Sequence, residues 1–225
     1  MLCERTTMAK NDSDLQHDVI DELDFEPTVD ASRIGVAARD GIVTLTGSVP
    51  SFSDKIAAEA AAKRVAGVHG IADELRVDLA GMHQRDDTDI ATAAVNTLGW
   101  DVNVPKDRIT VKVSNGYVTL EGEVEWQYQK DRARTLTQNL VGVRGVTNNI
   151  TVKPKAVRTY DVKTKIHEAF ERQAEIDANR VDIETEDGKV TLRGTVHSWT
   201  EHDAASHAAY SVPGVKTVDN LTRVG

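Results

Sequence analysis

The chain has 225 residues, of which 40% are hydrophobic and 4% aromatic, and a net charge of −9. Its single cysteine, Cys3, rules out an internal disulfide, so a disulfide-stapled secreted scaffold is excluded. No apolar run reaches the roughly 18 residues of a membrane span, and the acidic balance argues against sequence-independent nucleic-acid binding, which needs a basic field.

Residues 1–12 read as an irregular N-terminal segment, with Met1 and Met8 both candidate starts. It contains no apolar h-region, so the sequence as written predicts a cytoplasmic chain; removal of a leader would make it periplasmic. Nothing basic or catalytic neighbours Cys3 in sequence, and a reactive thiol is not expected.

From residue 13 onward one pattern is written three times. It reads RIGVAARDGIVTLTGSV from Arg33 to Val49, RITVKVSNGYVTLEGEV from Arg108 to Val124, and RVDIETEDGKVTLRGTV from Arg180 to Val196. The offsets are 75 and 72 residues, without a gap inside the motif. Such self-similarity marks one small fold repeated in tandem, with repeats at 13–80, 86–154 and 158–225. Charge is shared unevenly among them: 6 basic against 13 acidic groups in the first, 8 against 9 in the second, 9 against 12 in the third.

Each repeat opens on an aspartate (Asp14, Asp89, Asp161), placed as a cap or first-turn anion for a helix. Apolar residues then recur every four positions: Leu15, Val19 and Leu23; Ile90, Ala94 and Leu98; Val162, Ile166 and Phe170. The loop that follows begins with Phe25, Trp100 or Arg172.

Next comes a hairpin of alternating strands. Asp40-Gly41, Asn115-Gly116 and Asp187-Gly188 predict type I′ turns, whose central residues need positive φ. These glycines belong to no phosphate-binding pattern. A second glycine inside the return strand (Gly47, Gly122, Gly194) marks close backbone approach or a bulge. The small residues of the next helix offer a reason: Ala58, Ala61, Ala62 and Val65; Ala133, Leu136, Thr137 and Leu140; Ala205, Ala208, Ala209 and Val212.

Gly67, Gly142 and Gly214 suit the C′ position of that helix. A final strand follows each of them. In the third repeat it reads VDNLTRV where the second reads VTNNITV, a one-residue slip that leaves its inward-facing set open. The strand–helix–strand crossover implies an α+β class. Three αββαβ units are expected, each a mixed three-stranded sheet with two helices on one face.

The V-T-L-x-G-x-V strand, its turn glycine and the G-V-x-x-V segment (Gly67 to Ile71, Gly142 to Val146, Gly214 to Val218) resemble the BON domain, named for bacterial osmotically inducible and nodulation proteins. As a tandem array the chain is similar to the osmotically inducible members. The resemblance implies a non-enzymatic protein that contacts phospholipid or envelope surfaces under osmotic or envelope stress. It also implies, as the alternative, a chaperone-like protein that binds apolar segments of client proteins.

No catalytic, cofactor or metal site is expected. His197, His202 and His207 are spaced by five residues and do not share a helix face, unlike the i, i+4 pair of a zinc site. Arg33, Arg108 and Arg180 recur in one register, as either lipid or partner contacts or ion pairs within each unit. The candidate contact surface is aromatic: Phe52, Trp126, Tyr128 and Trp199 cluster at the start of the second helix. Trp126 and Tyr128 stand near Lys130, Arg132 and Arg134. Such rings anchor to a membrane interface or a partner, or cover the end of a small core.

Overall fold

The computed structural model describes residues 11–79, 81, 84–105, 107–154, 162–173 and 176–225. Cys3, Met8 and Asp161, and parts of both linkers, lie outside the described residues. Most of the first repeat, up to Pro50 and from Asp54 to Asp78, forms one compact unit, and Ser51–Ser53 with the chain from Leu79 onward form another.

Every repeat is helix–strand–strand–helix–strand. The first has α1 (Asp12–Phe25), β1 (Ile34–Arg39), β2 (Ile42–Val49), α2 (Phe52–Arg64) and β3 (Gly70–Val77). The second has α3 (Asp87–Trp100), β4 (Ile109–Ser114), β5 (Tyr117–Val124), α4 (Gln127–Gln138) and β6 (Gly145–Val152). The third has α5 (Val162–Arg172), β7 (Val181–Glu186), β8 (Lys189–Val196), α6 (Trp199–Tyr210) and β9 (Thr217–Val224). In each sheet the second strand is central, antiparallel to the first and parallel to the third. The fold is therefore the expected α+β class.

The helical stripes point inward. Leu15, Val19, Leu23, Ile90, Ala94, Leu98, Val162, Ile166 and Phe170 are all buried. So are Val43, Leu45 and Val49 on the first central strand and their counterparts on β5 and β8. Helix caps fall slightly earlier than expected. The side chains of Asn11 and Asp86 accept the N–H of Asp14 (2.8 Å) and Asp89 (2.7 Å), so those aspartates are first-turn anions. The next carboxylate braces the hairpin. Asp12 accepts the N–H of Asp40 at 2.8 Å, and Asp87 accepts those of Asn115 and Gly116 at 2.8 and 2.9 Å.

Both central turn residues have positive φ in every hairpin, as type I′ requires: 51° and 77°, 53° and 80°, 46° and 83°. The strand glycine has a different cause from the one expected. A Cβ on Gly47, Gly122 or Gly194 would lie 2.2, 2.0 and 2.0 Å from the carbonyl oxygen of Arg33, Arg108 and Arg180. The close approach is to the neighbouring strand's entry, within the sheet, and not to the alanine face of the helix. All three glycines also sit at φ between 116° and 146°, where a side chain is strained.

Gly67, Gly142 and Gly214 are not helix C′ residues either. The helices end at Arg64, Gln138 and Tyr210. Each glycine (φ about 95°) is the third residue of a separate turn, closed by hydrogen bonds from Val68 to Val65, Val143 to Leu140 and Val215 to Val212. Pro213 before Gly214 matches the type II preference.

The sequence slip in the last strand leaves pairing unchanged. Val190 pairs with Val218 as Val118 pairs with Val146, so Thr222 takes the buried place of Ile150 and Leu221 faces outward. Thr222 fits because its hydroxyl donates to Asn220 Oδ1 at 2.7 Å. The strand's position is held by Asn148 and Asn220, whose side-chain amides donate to the carbonyls of Lys130 and His202, each at 2.8 Å. In the first repeat Lys55 makes the corresponding link in reverse, pairing with Asp73 and donating to the Leu75 carbonyl.

Leu45→Ala, Leu120→Ala and Leu192→Ala are each expected to cost about 2–5 kcal/mol in urea unfolding. Gly122→Ala should also destabilise strongly although alanine is small, because its Cβ meets backbone. A Gly122→Ala variant as stable as wild type would contradict the close approach.

Candidate functional site

The three register-matched arginines reach within their own repeats. Arg33 donates to the Ser48 hydroxyl at 2.9 Å, Arg108 lies 3.7 Å from the Glu125 carboxylate, and Arg180 meets the His197 ring. Each guanidinium thus ties the start of the first strand to the end of the second.

The histidines go to separate places. His197 stands between Arg180 and Glu201, His202 contacts Asp203 and lies edge-on to Trp199 with ring centroids 5.1 Å apart, and His207 is exposed. Among the described residues no three His, Cys, Asp or Glu side chains gather as a metal site.

Glu201 is a buried carboxylate with a structural task. It accepts the N–H groups of His197 (2.6 Å) and Asp177 (3.0 Å) and contacts His197 Nδ1 at 3.0 Å. Burial alone pushes its pKa up, but these backbone and histidine contacts together hold it below the ordinary value. In the second repeat Gln129 does similar work without charge, accepting the N–H of Glu125 and Trp126, each at 3.1 Å.

The four aromatics at the second helix do not form one surface. Phe52 is 9% exposed and presents little to solvent. Trp199 is half-buried beside His202. Trp126 and Tyr128 do come together, with centroids 6.5 Å apart and planes tilted by 32°. They line a groove with Gln127 and Asp131 on one side and His207, Tyr210 and Ser211 of the third repeat on the other. Lys130 is half-buried and Arg134 exposed on the same helix.

Arg132 turns elsewhere, to Asp101, at 2.8 Å from both Nε and Nη2. The Asp101 carboxylate also accepts the Asn103 N–H at 2.8 Å. That backbone hydrogen bond first, then Arg132, lowers its pKa. This ordered turn carries the most exposed apolar side chains in the second repeat: Trp100, 86% exposed, and Val102, 96% exposed. Phe25 closes α1 as Trp100 closes α3, and is 83% exposed. The sequence signal was the aromatic at the first helix's end in two repeats. Periodicity alone does not tell an exposed ring there from one folded back on the core.

These repeats define small α+β modules, each of two helices and a mixed three-stranded sheet. A BON domain model matches residues 11–78, 86–154 and 160–225, and the chain belongs to the BON domain family. The osmotically-inducible protein Y of Escherichia coli K12 is 32% identical over 60% of this chain and 71% of its own length. The outer membrane lipoprotein DolP of Haemophilus influenzae is 29% identical over 60% of this chain and 72% of its own. Among solved structures, the type III secretion protein CdsD of Chlamydia trachomatis covers 93% of this chain and 91% of its own, at 16% identity and a TM-score of 0.25. A likeness that low bears on neither fold nor function.

The depressed Glu201 pKa gives a pH dependence. A carboxylate whose folded pKa lies below its unfolded value of about 4.3 adds stability above that value and loses it as pH falls through the folded pKa. Wild type should therefore lose stability in the acid range more steeply than Glu201→Gln, measured as melting temperature against pH. Parallel curves would contradict the ionised, hydrogen-bonded state.

Proposed function

We propose that this chain is a non-enzymatic, stress-associated protein of the bacterial envelope that docks on phospholipid surfaces through its second repeat. The carrying observation is the pair Trp100 and Val102, held out from the end of α3 by a turn fastened through Asp101 to Arg132 and Asn103. Tryptophan on a rigid turn is suited to the bilayer interface, where an amphipathic ring has one apolar and one wet side.

Among the described residues no helix is long and apolar enough to cross a membrane, so the proposed contact is peripheral. The net charge of −9 opposes attraction to anionic lipid, and the second repeat is the one nearest neutrality. Docking is therefore apolar in origin, with Arg132 at its edge. Trp126 and Tyr128, with Lys130 and Arg134 nearby, serve the groove instead. The family and the outer-membrane relative support an envelope location, periplasmic more than cytoplasmic.

A second reading is favoured by the exposure of Phe25 as well: rings at two helix ends suit apolar segments of unfolded client proteins. Vesicle co-sedimentation of wild type against Trp100→Ala with Val102→Ala separates the two. Burying a tryptophan covers roughly 150–250 Å², and half of that at ~25 cal/mol/Å² is about 2 kcal/mol. The double variant should then bind phosphatidylcholine–phosphatidylglycerol vesicles about thirtyfold more weakly, with little salt dependence. Equal binding by both proteins, or no vesicle binding by wild type alongside suppressed aggregation of an unfolded client, would overturn the lipid reading.

A further inference from the structure

The groove of about 420 Å³ between α4 and the end of α6 is unused by the docking just described. Its walls combine features of opposite kind. Trp126, Tyr128 and Tyr210 contribute three aromatic rings to its lining, and Asp131 a carboxylate. Tyr210 is fixed from behind, its hydroxyl accepting the Val218 N–H at 3.1 Å. Asp131 is positioned by Gln127, whose side-chain amide donates to Oδ1 at 2.9 Å. Arg134 follows Asp131 by three residues and Lys130 by four, spacings that place it one turn farther along the helix surface.

We propose that this groove binds a zwitterionic small molecule, with an alkylammonium group seated among Trp126, Tyr128 and Tyr210 beside Asp131 and its anionic end toward Lys130 and Arg134. Aromatic faces attract a cation through their quadrupole, and more so when the cation is desolvated. A carboxylate beside them completes the recognition of an ammonium group. Because His207 lines the same groove and Lys130 and Arg134 flank Asp131 on the helix, a bare cation gains little from net charge, whereas a ligand carrying its own anion matches both signs. The volume lies within the usual range for small-molecule sites, about 300–1,000 Å³.

The site does not involve Trp100 and stands whether or not the chain docks on bilayers. The test is isothermal titration calorimetry on the full chain with phosphocholine, and with choline and inorganic phosphate as its two halves. Phosphocholine should bind at least about tenfold more tightly than either half, and Asp131→Asn and Tyr128→Ala should each weaken it about tenfold, the size of one cation–π or charge contact. Both substitutions are at exposed positions, and unchanged melting temperatures would confirm folding. Displacement of phosphocholine by phosphatidylcholine vesicles assigns the headgroup of a lipid as the source; retention in their presence assigns a free zwitterion. Absence of phosphocholine binding, affinity no better than phosphate alone, or wild-type affinity in Asp131→Asn would overturn the proposal.

Discussion

In each repeat the backbone of the central strand passes so close to its neighbour that no Cβ has room. At Gly47, Gly122 and Gly194 the obstacle is the carbonyl of the arginine that opens the preceding strand. A carbonyl cannot swing aside as a flexible side chain can, so the position admits glycine alone at low cost, and its positive φ reinforces the requirement. The contact fixes where the hairpin ends, with Ile34, Ile109 and Val181 opposite the glycines. Pairing register then decides which face of every strand is buried. It also sets the point from which the chain departs for the second helix, and hence the placement of the residues that open it.

Around that shared frame, the three copies solve the same local problems with different chemistry. The backbone at the start of the second helix is satisfied by neutral Gln129 in one repeat and by ionised Glu201 in another. The last strand is pinned by an asparagine amide in two repeats and by a lysine in the first. Arginine at the strand entrance finds a hydroxyl, a carboxylate or an imidazole. Where the frame makes no demand, the copies diverge: the first helix ends on Phe25, Trp100 or Arg172. That divergence is where a tandem array can specialise one unit for binding while the others keep the fold.

Much of the frame was legible in the sequence, because the periodicities of two and of 3.6 are local and the turn dipeptides state their φ requirement outright. What was not legible depends on partners distant in sequence. The strand glycines read correctly as a close approach, but the opposing atom belongs to another strand and not to the small-residue helix. The VDNLTRV slip left the inward-facing set open; parallel pairing is unchanged, and Thr222 enters the core with its hydroxyl bonded to Asn220. Of the aromatics singled out, Phe52 is buried, while Trp126 and Tyr128 line a groove completed by residues some eighty positions away. Trp100 was visible as an aromatic but not as an exposed one, since exposure is decided by what the rest of the unit leaves uncovered.

The functional account turns on whether Trp100 enters an apolar environment at a lipid surface. The direct measurement is the emission of Trp100 as the sole tryptophan, with Trp126 and Trp199 replaced by phenylalanine, titrated with phosphatidylcholine–phosphatidylglycerol vesicles. The account predicts a blue shift on vesicle addition, with quenching by lipids brominated near the headgroup, both persisting through a salt series. An emission spectrum that stays at its solvent-exposed position while the protein co-sediments with the vesicles would contradict it.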